Sequence, residues 1–280
     1  MRCLPECYSC LEGLVRRSLL LTDLEPRRHD EILEVALSYL KENFSSNSFS
    51  ADLAGELQRI IRSKSGNSDP FAKVKKEEIS LARHYVEKYS PPVSAPLKEL
   101  VHFAAKGNGF DFFQDLEMLE KQFQEPVEMA CDESTLLGEL LKHDKQVLYL
   151  ADNAGEIFFD LPLVNYLAQL ATVYYAVKES PTQNDATLND LEQSGLFDSF
   201  PHVISTGTDS PGLDLKRAAP SFRRLLDQAD LIIAKGMAHY ETLPEFSLLQ
   251  PVFLILQVKC EPVAQDSGLP RDSYAAYFLE

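Results

Sequence analysis

The sequence predicts an α/β protein, with a helical N-terminal region (residues 1–143) followed by a Rossmann-like, mainly parallel sheet with helices on both faces (residues 144–280). Three observations predict it. Before about residue 145, apolar side chains recur at three- and four-residue steps, the spacing of helices with one buried stripe. Beyond that point come short apolar runs without polar alternation, as in strands buried on both faces of a parallel sheet. Each run is separated from the next by a segment that can hold a helix, the pattern of a doubly wound layer.

The helices follow in order. Leu11, Leu14, Val15, Leu19 and Leu20 mark one over residues 7–24, and Ile32, Leu33, Ala36, Tyr39 and Leu40 a second over 27–43. Residues 51–61 and 74–89 repeat the pattern. Ser90-Pro-Pro-Val-Ser-Ala-Pro96 is a stop and a turn, after which a further helix starts at Leu97. The strands are Val147-Leu-Tyr-Leu-Ala151, Thr172-Val-Tyr-Tyr-Ala-Val177, His202-Val-Ile-Ser205, Leu231-Ile-Ile-Ala234 and Val252-Phe-Leu-Ile-Leu256.

Twenty-seven Lys and Arg stand against 43 Asp and Glu, a net charge of −16. That balance argues against nucleic-acid binding, which needs cations to neutralise phosphates. It leaves room for an anionic small molecule where a metal ion or local lysines reverse the field. No apolar run is long enough to cross a membrane, and the N-terminus lacks signal-peptide order. Five cysteines do not make a disulfide scaffold. A soluble, cytoplasmic protein is expected, its oligomeric state open. Cys3-x₃-Cys7-x₂-Cys10 has the spacing of a radical-forming iron–sulfur cluster but precedes a helix. A structural role is expected, with zinc or redox chemistry the alternative.

In open parallel sheets ligands bind beyond the carboxyl ends of the strands. Asp152-Asn153-Ala-Gly-Glu156 follows the first run and Asn184-Asp185 lies beyond the second. Thr206-Gly-Thr208-Asp209-Ser-Pro-Gly212 follows the third, Lys235-Gly-Met-Ala-His239-Tyr240-Glu241 closes the fourth, and Lys259-Cys260 the fifth. Asp152, Asn153 and Asp185 offer hard oxygens suited to a divalent cation such as Mg²⁺, Mn²⁺, Co²⁺ or Ni²⁺. The Thr206 to Gly212 turn can present backbone N–H groups to an anion at a following helix N-terminus. Lys235 and Lys259 can offset phosphoryl charge, and His239 can change charge near neutral pH. Each piece also has a plain use as a cap or turn. Their convergence on one sheet edge favours a site.

Together with Ser65-Gly-Asn67-Ser-Asp69-Pro-Phe71 and Gly107-Asn108-Gly-Phe-Asp111-Phe112, these motifs resemble the damage-control phosphatase family, once called domain of unknown function 89, in its compact prokaryotic-type branch. The resemblance implies a divalent-metal-dependent phosphatase acting on small phosphorylated metabolites, sugar phosphates or damaged cofactor intermediates among them. It places the metal on Asp152, Asn153 and Asp185. It matches the family's active-site lysine to Lys259 and its substrate-contacting segment to residues 237–241. Glu156 becomes a water-positioning base or substrate contact. Asp152 is either a ligand that orients water or a direct nucleophile. Asn67 and Asp69 are expected as caps; Asn108 and Asp111 cap helices or close over the substrate. Arg271-Asp272 replaces the glycine usual after the last loop, so a shortened final strand or tail is expected. Two other readings stay open, an S-adenosylmethionine-dependent carboxyl methyltransferase and a non-catalytic metabolite-binding module. Against the first, no Gly-x-Gly-x-x-Gly follows the first strand.

Overall fold

Helices of the N-terminal region form where the apolar stripe demands. The computed structural model describes residues 1–109, 124–125, 127–141 and 145–279. It places α1 at Pro5–Leu20, α2 at Pro26–Asn43, α3 at Ser50–Ser65, α4 at Ala72–Tyr89 and α5 at Leu97–Asn108. Pro5 and Pro26 stand in first turns, where a missing N–H costs nothing. Asn67 and Asp69 form the Asx turns that lead into α4: Asp69 N–H donates to Asn67 Oδ1 and Phe71 N–H to Asp69 Oδ1.

The strands are β1 (Met129–Asp132), β2 (Gln146–Leu150), β3 (Thr172–Val177), β4 (Val203–Ser205), β5 (Leu231–Lys235), β6 (Val252–Gln257) and β7 (Tyr274–Phe278). Six helices accompany them: α6 (Ser134–Leu140), α7 (Ile157–Leu167), α8 (Leu188–Ser194), α9 (Pro220–Gln228), α10 (Met237–Thr242) and α11 (Glu261–Ser267). The sheet order is β1-β7-β6-β5-β2-β3-β4, parallel except between β6 and β7. The α/β class and the helices on both faces are as expected. Val147 and Tyr149 bury against α5, α7 and α8, whereas Leu148 and Leu150 face α9, α10 and α11.

Two strands escape the sequence pattern. β1 is a four-residue edge strand that is not fully buried, and β7 is built on two alanines, which have weak strand preference. The shortened final strand is not seen: β7 pairs along five residues of β6. Asp272 takes a left-handed φ of 64°, a conformation that glycine adopts freely and Asp tolerates.

The expected boundary at 143/144 lies outside the described residues, as does Asp111. The cores do not divide there. Helices α1–α3 share a core of their own around Val15, Leu19, Ile32, Leu40 and Leu57. Leu100, Val101, Ala104 and Ala105 of α5 instead join the core under the sheet. The molecule is therefore an α1–α3 cap seated on an α/β layer that recruits α5. Among the described residues no helix is long and apolar enough to cross a membrane.

Candidate active site

The strand order reverses between β2 and β5, so their carboxyl ends flank a crevice at the switch point. Asp152 follows β2, and Gly236 follows β5. Gly236 has φ of 80°, and a Cβ placed on it would lie 1.8 Å from Asp152 Oδ2. Only glycine lets the two loops approach this closely.

Backbone pairing then brings the third acidic residue in. Ala186 N–H donates to the Asp152 carbonyl at 2.7 Å and Ala154 N–H to the Asn184 carbonyl at 2.9 Å. Asn153 and Asp185 form an isolated antiparallel bridge between them. Loops beyond adjacent strands are thus stitched together, and Asp152, Asn153 and Asp185 share one wall. With Lys259 they line a cavity of about 530 Å³ beneath the cap.

Asn108, at the end of α5, fixes the carboxylates. Its Oδ1 accepts from Gln257 N–H at 2.8 Å, which directs its Nδ2 to Asp152 Oδ2 and Glu156 Oε1, each at 2.9 Å. Asn153 Nδ2 donates to the same Glu156 Oε1 at 2.7 Å. Behind them Lys235 is fully buried. Its Nζ lies 2.6 Å from Glu156 Oε2 and 2.7 Å from Asp160 Oδ1. Asp160 also accepts from the buried hydroxyls of Tyr149 and Tyr175, each at 2.8 Å.

These contacts set the charges. Burial raises the Asp152 carboxyl well above its ordinary pKa, and Glu156 and Asp185 add to the rise. Burial lifts Asp185 to about 6 despite Lys178, whose Nζ is 3.6 Å away. Burial alone would raise Glu156 too, but the Lys235 and Lys259 ammoniums outweigh it and hold that carboxyl below its usual value.

The donor set fits a hard divalent cation. Asp185 Oδ2 is buried without a hydrogen-bond partner. Asp152 is repelled by two neighbouring carboxylates, and the Asn153 amide points its nitrogen at carboxylates, leaving its oxygen as donor. Among the described residues no three His, Cys, Asp or Glu side chains gather to hold a metal alone. Two carboxylates and an amide leave coordination positions for water and a substrate phosphate. The thiols take no such part: Cys3 and Cys7 sit in the cap core, and burial, with Cys7 adding, pushes Cys3 up to about 12.

Several expected contacts go elsewhere. Glu156 is buried and accepts from three donors, Asn108 and Asn153 on Oε1 and Lys235 on Oε2, which fills three of its roughly four lone-pair directions and fixes the two amides. Lys235 neutralises the buried carboxylates from below and does not reach the cavity. His239 is buried with Nδ1 2.7 Å from the Lys235 carbonyl, and burial, then Lys178, lowers it to about 3, so it is neutral near pH 7. Tyr240 donates to Asp266 at 2.7 Å, and Glu241 accepts from Ser50 of the cap. Thr208 is buried against Thr206, and Asp209 is held by Arg59 at 3.0 Å and by Arg62. No helix follows the Thr206 to Gly212 turn directly. The Gly207 and Thr208 N–H groups are taken by Ser205 and Thr206 hydroxyls, so the anion cradle is not formed.

Sequence reasoning missed Asp160, although its i+4 spacing from Glu156 in an otherwise apolar stretch marks a shared helix face. It also missed Arg17 of α1 and Gln183, both of which line the cavity.

Comparisons with known proteins agree with this architecture. The damage-control phosphatase ARMT1-like domain matches residues 3–274. A damage-control phosphatase of Archaeoglobus fulgidus is 31% identical across the whole of both chains. Another, of Pyrococcus horikoshii, is 34% identical over 95% of this chain and 94% of its own. The crystal structure of a DUF89 family protein from Pyrococcus horikoshii superposes with a TM-score of 0.90 at 28% identity, covering 100% of both chains. With its sheet order, its switch-point carboxylates and a family match over nearly its full length, the chain belongs to the ARMT1-like damage-control phosphatase family.

Proposed function

We propose that the protein is a divalent-metal-dependent phosphatase that hydrolyses phosphomonoesters of small metabolites, sugar phosphates or damaged phosphometabolites. The observation that carries this reading is the convergence of Asp152, Asn153, Asp185 and Lys259 on one cavity, with a buried oxygen of Asp185 that makes no hydrogen bond and has only the Lys178 ammonium, 3.6 Å away, near it. Its relatives' names point the same way.

Asp152, Asn153 and Asp185 hold the cation, which supplies Lewis-acid neutralisation of charge on the phosphoryl oxygens. Lys259 faces the same cavity and offsets the remaining phosphoryl charge. Asn108 orients Asp152, and Lys235 keeps Glu156 ionised so that it in turn fixes Asn108 and Asn153. Leu14 and Arg17 of the cap form part of the cavity wall, with Phe71 and Val74.

Protein stripped with chelator is expected to release no phosphate from p-nitrophenyl phosphate, and to regain activity when Mg²⁺, Mn²⁺, Co²⁺ or Ni²⁺ is restored. Folded protein that is silent with every one of these ions sinks the reading in favour of a binding module or an S-adenosylmethionine enzyme. Gly236→Ala provides a geometric test. Its methyl must displace the Asp152 carboxylate, and a shift near 1 Å costs about a hundredfold in turnover. Gly268→Ala is the control. It has the same sign of φ with open space around the new Cβ, so it should lose about 1 kcal/mol of stability but keep its rate. Equal rates in the two variants would remove Asp152 from the chemistry.

A further inference from the structure

Resting on the phosphatase reading, we propose that the cavity takes phosphomonoesters carrying a second anionic group, a carboxylate or another phosphate, and that Arg17 of the cap binds that group. Two cations, Lys259 and Arg17, stand among the residues that line the cavity. Lys259 lies just beyond β6, on the same sheet edge as Asp152 and Asp185, which places it with the carboxylates at the phosphoryl end.

Arg17 arrives from the last turn of α1, in the cap. It is exposed, and among the described residues it makes no hydrogen bond or ion pair. Arg16, next to it, is spent on Glu12 at 2.7 Å. Much of the remaining wall is apolar, with Leu14, Phe71, Val74 and Met237. Glu78 also lines the cavity, but its Oε1 accepts from Asn184 Nδ2 at 3.0 Å. The cavity therefore offers a cation-assisted phosphate site, apolar surface and a second, uncommitted guanidinium.

The overall charge adds weight to that guanidinium. A protein of net charge −16 repels multiply charged metabolites at long range, so their affinity must come from local cations. A planar guanidinium matches a carboxylate or phosphate in a two-point contact that an ammonium cannot make. A volume of about 530 Å³ fits a small metabolite rather than a polymer.

The test uses the full chain with metal restored and two matched pairs of ligands. Glycerol 3-phosphate is compared with 3-phosphoglycerate, and glucose 6-phosphate with glucose 1,6-bisphosphate. KM, kcat and calorimetric Kd are measured for wild type, Arg17→Ala and Arg17→Lys. Arg17→Ala should raise KM and Kd about tenfold for the doubly anionic member of a pair, the size of one charge-assisted hydrogen bond. The singly anionic member should move less than about twofold, and kcat should hold. Arg17→Lys should recover part of the loss. Which pair responds tells whether the second anion is a carboxylate or a phosphate. Equal loss on both members, no change in either pair, or no binding of any of the four by wild type overturns the proposal. Absence of turnover with intact, Arg17-dependent binding overturns the phosphatase reading and leaves the anion site standing.

Discussion

Asp152→Asn and Asp185→Asn are each expected to abolish metal-dependent phosphate release, by more than the 10–100-fold that outer-shell partners of a metal typically cost. The same substitution at Asp152 should not destabilise the metal-free fold. Its carboxyl is buried beside Glu156 and Asp185, and its pKa is raised on folding. A carboxyl of that kind binds its proton more tightly in the folded state, so its ionised form costs stability at neutral pH. Asparagine keeps the shape and removes the charge. Metal-free Asp152→Asn should therefore melt at or above the wild-type temperature, the signature of a residue retained for chemistry at the expense of stability. Added metal should raise the melting temperature of wild type and leave the variant unmoved, since only the wild type couples binding to folding. Thermal melts with and without chelator, beside a phosphate-release assay, check both halves. Full activity in the two variants would sink the site assignment.

Lys235→Met carries the largest expected loss of stability. It removes the cation that pairs with Glu156 and Asp160 in a fully buried setting. Breaking a buried pair from one side costs about 3–5 kcal/mol, because the partner charges stay behind unpaired. The loss has a pH signature. Without Lys235, burial raises both carboxyls above their unfolded values, so the folded state holds protons that the unfolded state releases. Stability is then regained as pH falls towards those raised values and is lowest near and above neutrality. Asp160→Asn added to Lys235→Met should restore a substantial part of the loss, because one orphaned charge is gone. Urea midpoints of the single and double variants at pH 5 and pH 7.5 decide the matter. A single variant as stable as wild type at pH 7.5 would show that the buried network carries no stability.

Part of the candidate site is legible in the sequence. Asp152, Asn153 and Asp185 sit beyond β2 and β3, and a residue's position at a strand's carboxyl end can be counted along the chain. The strands themselves were readable where they are buried on both faces, because β2, β3, β5 and β6 are continuous apolar runs. β1 and β7 were not, since β1 is a four-residue edge strand that ends on an aspartate and β7 is built around two alanines, which have weak strand preference. Lys235 looked like a strand-end lysine open to ligand. Its burial depends on Glu156 and Asp160, about 75 to 80 residues earlier, whose spatial position no local pattern reveals. Tyr240, Glu241 and Asp209 misled for the same reason. They are polar residues near the right strands, but Asp266, Ser50 and the pair Arg59 and Arg62 claim them.

The sequence by itself determined the periodicities, and with them the helical opening, the parallel layer and the edge at which chemistry collects. Periodicity is a property of neighbouring residues, so one chain suffices to read it. Only the tertiary structure decided which polar groups at that edge face the cavity and which face one another. It turned Asn108 onto Asp152, committed Glu156 to three donors and brought Arg17 of α1 to the cavity of Asp152, Asp185 and Lys259, 135 and more positions later. Those choices are pairings between distant segments, fixed by what each buried charge needs in order to be satisfied.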